Sequence, residues 1–336
     1  MKLVVLIMKD KILLLISVVI LFISFIISLG IGAVSIPFMD VISRVFDPRN
    51  DPYSIIIWQL RMPRILLAAL VGASLAVSGA VMQGLFRNPL ADPYVTGTAS
   101  GAALGATISM FFGFVFLNIF FLPLFAFIGA LSTTIIVLII SSFSGNLKSE
   151  NMLLAGIGVS IFLSAIVSLL LYLLGKDLQT VFYWLMGTFS GATWVNVYIT
   201  MIVVVPSIIL IEIFSRNIDP LMLGEDHAYS LGIDVKRERI ILFLLSSLIT
   251  GISVAFSGII GFVGLVIPHI VRLLIGPNNR ELILSSIFLG GAYMVIADTI
   301  SRSFNVIMEL PVGIVTSIIG IPVFLILLVR VKNYWR

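Results

Sequence analysis

The sequence predicts an all-α polytopic membrane protein with about ten transmembrane helices and an inverted internal repeat. Three observations lead there. Charged residues make up 11% of the 336 residues and hydrophobic ones 60%, with a mean hydropathy of +1.20. A soluble domain is about 25% charged and has no way to hide this much apolar surface from water. The apolar residues fall in runs of roughly 20, the length that crosses a bilayer as a helix. One pattern of small residues occurs twice, at a constant offset of 179. The composition excludes a soluble enzyme, a nucleic-acid binder and a disordered chain. The run length excludes a β-barrel, whose strands are about 10 residues long.

The first crossing is placed at 12–31, in a stretch without charge from residue 12 to 39. It follows Lys2, Lys9 and Lys11 and precedes Gly30, Gly32 and Ala33, so a retained helix and a cleaved signal are both open. The stretch exceeds the roughly 7–15 residues of a signal core, which favours the helix. The second crossing is 62–85. The uncharged residues 93–147 hold two more, 94–110 and 118–142, with a break near Gly113, Asn118 or Pro123. The fifth is 151–173. The stretch 178–191, with its Trp, Tyr and Gly, reads as an interfacial helix at the headgroup level. Crossings at 194–213, 238–257, 262–276, 281–301 and 310–330 complete the set, the eighth being short and broken by Gly. The Phe-rich stretch 111–127 reads as lipid-facing. Tyr334 and Trp335, beside Lys332 and Arg336, read as an interfacial anchor.

With the N-terminus inside, 14 Lys/Arg fall inside and 6 outside, the latter being Arg44, Arg49, Arg61, Arg64, Lys176 and Arg302. The positive-inside rule favours this orientation, and an even number of spans puts both termini in the cytoplasm.

The repeat joins residues 70–89 to 249–268. Gly72 matches Gly251, Ser74 matches Ser253, Ala76 matches Ala255, Ser78-Gly79 matches Ser257-Gly258, and Pro89 matches Pro268. Packing of small residues explains most of these positions taken singly. Their recurrence, on spans two and seven, is explained by two halves of opposite orientation, the architecture of alternating-access transporters.

Ion-driven carriers use ionisable groups at membrane depth. Spans one to eight have none near their centres, and Asp298 and Arg302 lie toward the outer end of span nine. Sodium held by backbone carbonyls stays open as an alternative. There is no G-x-x-x-x-G-K-[ST], so a P-loop ATP site is absent from the chain. With no Cys and only His227 and His269, disulfides, thiolate sites and a multi-imidazole zinc site are excluded or disfavoured, and no catalytic constellation is present. An active transporter built this way needs its motor on another polypeptide. The charged stretch 215–239 lies on the cytoplasmic side. Leu221, Met222 and Leu223, then Ala228, Leu231 and Ile233, suggest two short amphipathic helices turning at Gly224; a plain solvated loop is the other reading.

Arg61-Met-Pro-Arg64, SGAVMQGLFRNPLADPYVTGTASGA (78–102), LGEDHAYSLGI (223–233), SGIIGFVGLVIPHIVR (257–272) and ELPVGIVTSIIGIPVFLILL (309–328) occur in this order. Together they resemble the FecCD/cobalamin-type permeases, the membrane subunits of type II ABC importers, over nearly the whole chain. The resemblance implies a single permease domain over 1–336, with repeat halves at about 60–175 and 237–331 and a cytoplasmic coupling loop at about 215–236. It implies ten helices and a permease dimer, most simply a homodimer, with two ATP-binding subunits below and an extracytoplasmic binding protein above. No cofactor is implied on this chain, since ATP binds to the partner subunit, and no nucleic acid is involved. The cargo implied is an iron–siderophore, haem or cobalamin, with an oxyanion such as molybdate as the alternative.

By resemblance, Leu223, Gly224, Glu225, Ala228, Leu231 and Gly232 form the loop that seats in the ATPase. Arg61 and Arg302 match outward-facing arginines that meet acidic residues of the binding protein; snorkelling to lipid phosphate is the competing role. Ser149 and Glu150 match the inner gate region, where Glu150 departs from the small hydroxyl residues expected. Ser160, Ser164 and Ser168 on span five, together with span ten, are expected to line the pathway. His269 is expected to cap a broken helix or bond to backbone. Arg87-Asn88-Pro89 and Asp92-Pro93 are expected to form a turn at a helix break. The leading function is thus the passive permease subunit of an importer in the cytoplasmic membrane. An ion-coupled secondary carrier is the second reading, and a membrane-embedded enzyme the weakest.

Overall fold

The computed structural model describes residues 2–49, 51–143, 147–174, 178–276, 278–304 and 309–330, so the terminal anchor expected at 332–336 lies outside the described residues. Every regular element is helical. Helix α1 (Lys2–Gly30) leads through α2 (Phe38–Phe46) to α3 (Pro52–Ile55). A π-helical stretch, Ile56–Arg61, then runs into α4 (Met62–Leu85). A 3-10 turn at Pro93–Thr96 precedes α5 (Thr98–Phe111), followed by α6 (Phe114–Leu117), α7 (Phe121–Ser142), α8 (Ser149–Leu174) and the short α9 (Leu178–Leu185). The chain continues as α10 (Trp194–Phe214), α11 (Ile218–Leu223), α12 (Glu225–Ser230), α13 (Val235–Ser257), α14 (Val263–Ile275), α15 (Asn279–Ser303) and α16 (Val312–Arg330).

All ten expected crossings carry a helix. Among the described residues, seven helical segments are long and apolar enough to span a bilayer. The remaining three positions hold α5 (14 residues), α14 (13 residues) and α16, apolar over Val312–Ile326. Helices α5 and α14 are short because irregular backbone, at 86–97 and 258–262, takes up part of the depth. Such backbone is tolerated only inside protein, and here the two breaks pair with each other: the Tyr94 hydroxyl donates to the Ile260 carbonyl at 2.9 Å and accepts from the Ile260 amide at 3.2 Å. The turn expected at Asp92 forms as well, its carboxylate accepting from the Tyr94 amide at 2.8 Å.

Helices α4 and α13 cross antiparallel at the centre. Ser78 meets Ser246 and Thr250 at one point, and the rings of Phe86 and Phe243 lie 6.5 Å apart at another. The repeat-matched glycines occupy corresponding places. Gly72 of α4 lies against Gly290 of α15, where an added Cβ would sit 2.2 Å from a carbonyl oxygen; Gly251 of α13 lies against Ala130 of α7. Helix α4 thus packs on α15, and α13 on α7. Helix α1 lies along α15, α10 along α13, and α5 is held between α7 and α8.

The interfacial stretch after α9 does more than lie on the surface. Thr188 donates its amide to Ser257, the last residue of α13, at 2.8 Å. The amides of Val312 and Gly313 donate to the carbonyls of Gly187 and Met186, and Phe189 is fully buried.

Candidate coupling loop, gate turn and outer ion cluster

The end of the bundle that the charge bias places outside holds a buried ion cluster. Arg64, in the first turn of α4, presents Nε to both carboxylate oxygens of Asp298 at 3.0 Å and Nη2 to Oδ1 at 2.8 Å. Its Nη1 donates to Glu309 at 2.9 Å. One guanidinium therefore ties α4, α15 and the approach to α16 together, and its planar fork suits this bidentate task.

Arg61 and Arg302 stand beside this cluster, and their exposure is a correction to expectation. Each is only 5% exposed. Arg61 donates to the carbonyls of Leu29 and Val34, and Arg302 to the carbonyl and hydroxyl of Ser28, with Asp298 at 3.7 Å. The physical reason lies in α1. It ends at Gly30, and its last carbonyls have no partner within the helix. Two cations at that C-terminus satisfy them and favour the helix dipole. A cavity of about 390 Å³ opens between these groups, lined by Gly32, Val34, Arg61, Arg64, Arg302 and Glu309 among others. On the neighbouring outer surface, Asp51 caps α3, and the Ser54 amide it accepts holds its carboxyl below the usual range, with Arg44 adding to the effect.

Helix α8 buries one stripe, Met152, Gly156, Leu163 and Val167, against the bundle. Ser160 is half-buried, close to Gly97, and Ser164 and Ser168, one and two turns further along, are exposed, as is Gly158. Ser168 donates within its own helix to the Ser164 carbonyl at 2.9 Å.

At the inner end, Ser149 opens α8 and donates to the carbonyl of Leu85, the last residue of α4, at 2.8 Å, while Glu150 is exposed. The loop 215–236 forms the two expected short helices, α11 and α12. Gly224 joins them at φ 140°, a backbone conformation that side chains avoid, and Gly232 follows α12 at φ 77°. Leu223 and Leu231 are exposed, with Tyr229 beside them; Leu221 and Ala228 are buried. Glu225 pairs with the buried Arg239 at 2.8 Å. Asp219 of α11 accepts from Asn279 at the start of α15, and Asn279 in turn accepts from Arg272 at 3.1 Å. The loop is thereby fastened to α13 and α15.

His269 departs from expectation: it is buried, and both ring nitrogens lack a hydrogen-bond partner among the described residues. Pro268 and His269 lie inside the continuous helix α14, away from both of its ends, so His269 has no terminus to cap. Among the described residues, no group of three or more His, Asp and Glu is placed to hold a metal.

The residues that sequence reasoning missed are Arg64 as the hub of the ion cluster, Arg239, and the Asp219–Asn279–Arg272 chain. Arg64 stands in the quoted Arg61-Met-Pro-Arg64 motif, and Asp298 and Arg302 stand one helical turn apart in the sequence. The pairing itself spans 234 residues and leaves no local signal.

Comparison with known proteins agrees with this arrangement. The profile of the FecCD transport family matches residues 20–330. The cobalamin import system permease protein BtuC of Halobacterium salinarum is 42% identical over 274 residues, covering 82% of this chain and 73% of that protein. The ABC transporter permease protein YvrB of Bacillus subtilis is 39% identical and covers 92% and 90%. The vitamin B12 import permease of Yersinia pestis is 39% identical over 84% of each chain. Among solved structures, an inward-facing metal-chelate type ABC transporter superposes with a TM-score of 0.83 at 35% identity, covering 94% of this chain and 98% of that one. The match over residues 20–330, with relatives of about 40% identity covering most of the chain, makes this chain a member of the FecCD transport family.

Proposed function

We propose that the chain is the permease subunit of a binding-protein-dependent ABC importer for a metal chelate, cobalamin or an iron–siderophore above the oxyanion alternative. In this reading both termini are cytoplasmic, and residues 60–175 and 237–331 are the two halves of the repeat. Two copies face each other across α8 and α16; past Glu150 at its inner end, the exposed side of α8 carries Ser164, Ser168 and no fixed charge. A bulky chelate passes there through weak contacts. A separate ATPase seats on Leu223, Tyr229 and Leu231, and a binding protein docks at the outer end, where the cavity between Arg61 and Arg302 admits an acidic side chain.

The observation that carries this reading is the loop: two short helices hinged at Gly224, apolar at the tip and fastened at the base to α13 and α15. The test is uptake into proteoliposomes holding the permease with its ATPase and binding protein. Cyanocobalamin and a ferric siderophore are offered alongside molybdate. Accumulation that requires ATP and both partners is expected. Uptake driven by an ion gradient through the chain alone, or ATP hydrolysis by the isolated chain, would sink the proposal. Gly224→Pro is expected to insert normally and to lose the ATPase on copurification.

A further inference from the structure

The cytoplasmic loop and the turn before α8 lie far apart in sequence, and one buried side chain joins them. Arg239, in the second turn of α13, donates to the Glu225 carboxylate on α12 at 2.8 Å and to the main-chain carbonyl of Leu147, two residues before α8. It is 4% exposed, and its Nε has no hydrogen-bond partner among the described residues. Glu225 is 37% exposed at its side chain, on the same short helix as the exposed Tyr229. Beyond Leu147, Ser149 holds the carbonyl of Leu85 at the end of α4. A line of polar contacts thus runs from the loop surface through Arg239 to the starts and ends of first-half helices.

A desolvated guanidinium is a poor stabilising device, since a buried ion pair is often matched or bettered by apolar residues of like volume. Its geometry does suit a link. The Glu225 end is open to a docking partner, and the Leu147 end sits on the turn that starts α8. We infer that Arg239 is the positioning residue that carries displacement of the loop into the turn before α8. This inference rests on the ATPase-docking reading above. When α12 moves, Glu225 moves the guanidinium, and the guanidinium re-aims the Leu147 carbonyl and with it the start of the pathway helix.

The test uses the whole importer in nanodiscs: permease, ATPase and binding protein. Arg239→Gln keeps a donor toward Leu147 and removes the ion pair; Glu225→Gln removes it from the other side. Arg239→Gln is expected to copurify with a full complement of ATPase and to keep the basal rate of ATP hydrolysis; Glu225→Gln, on the docking loop itself, is compared per ATPase retained. The stimulation by binding protein should fall about tenfold, the scale of one charge-assisted hydrogen bond. The double variant should lose no more than either single one. Undiminished stimulation in either variant, or additive losses, overturns the link. Loss of ATPase copurification in Arg239→Gln but not in Arg237→Gln also overturns it, because Arg239 would then be a docking residue. If Gly224→Pro keeps its ATPase, the docking reading itself falls, an outcome distinct from all of these.

Discussion

Helices α4 and α8 look alike as apolar sequence and lead opposite lives. The segment Pro52–Leu85, which ends in α4, has a hydropathy of 2.3, and Ser149–Leu174 has 2.5; the apolar window of the first is 83% buried and that of the second 11%. The difference lies in side-chain size. Helix α4 places Gly72 and Gly79 where the backbones of α15 and α14 come into contact, and Gly84 against the Ile218 side chain of α11. Helix α8 presents Leu154, Ile161, Phe162, Leu169 and Leu173 outward and keeps only one stripe for the bundle. Lipid tails are as apolar as leucine, so hydropathy decides which segments enter the membrane and close packing decides which meet.

The contrast is sharpest at two glycines. A Cβ on Gly79 would lie 1.8 Å from the Gly264 carbonyl oxygen, whereas one on Gly158 meets nothing within 4 Å. Gly79→Val is expected to abolish the folded permease, beyond the roughly 1–3 kcal/mol of ordinary overpacking, because backbone must move. Gly158→Val should leave the monomer as stable as before and alter only what α8 faces. Size-exclusion profiles in detergent check both. A monodisperse Gly79→Val protein would show that α4 is not packed to backbone contact.

Polar groups divide the same way. Arg64 and Asp298 are 10% and 1% exposed at their side chains, at the outer ends of α4 and α15. Asp298→Ala leaves a buried guanidinium without its bidentate partner and is expected to cost about 3–5 kcal/mol. It should also release the end of α1, since Arg302 shares the same carboxylate. On α8, Ser164→Ala is expected to change stability by no more than about 0.5 kcal/mol, as surface substitutions do, and to act on transport alone. Thermal unfolding of the purified permease measures both; equal shifts would erase the distinction between the helices.

How far these features can be read from sequence follows from how local they are. The ten crossings stand out because charge punctuates them, and the hinge at Gly224 because apolar residues flank a lone glycine in a charged stretch. The breaks before α5 and α14 announce themselves through Gly and Pro. The direction of Arg61 and Arg302 was not legible, because their partners are main-chain carbonyls at the end of α1, which no residue type signals. Outward charge was inferred, and inward capping is what forms. Arg64 with Asp298, and Arg239 with Leu147, are likewise pairings across the fold. Asp298 and Arg302 do show local spacing, but at 3.7 Å theirs is the looser contact of the cluster.

The smallest effect separates the helices most finely, since it compares one hydroxyl with another. Ser78 of α4 accepts from the Thr250 hydroxyl at 2.8 Å and donates to the Ser246 carbonyl at 3.1 Å, both on α13. Ser168 of α8 donates only to its own helix, at 2.9 Å. Interhelical hydrogen bonds in membranes average about 0.6 kcal/mol and reach about 1.7. Ser78→Ala should fall in that range, toward the upper end, because it also removes one partner of the Thr250 hydroxyl, which is fully buried at the crossing. Thr250 keeps its bond to the Ser246 carbonyl at 2.7 Å, which limits the loss. Ser168→Ala should not destabilise, since a hydroxyl bonded back onto its own helix slightly weakens that helix. Unfolding midpoints for the two variants are therefore expected to shift in the order Ser78 before Ser168. The reverse order would mean that α8, in the protein as purified, is already packed against a partner through its serine side.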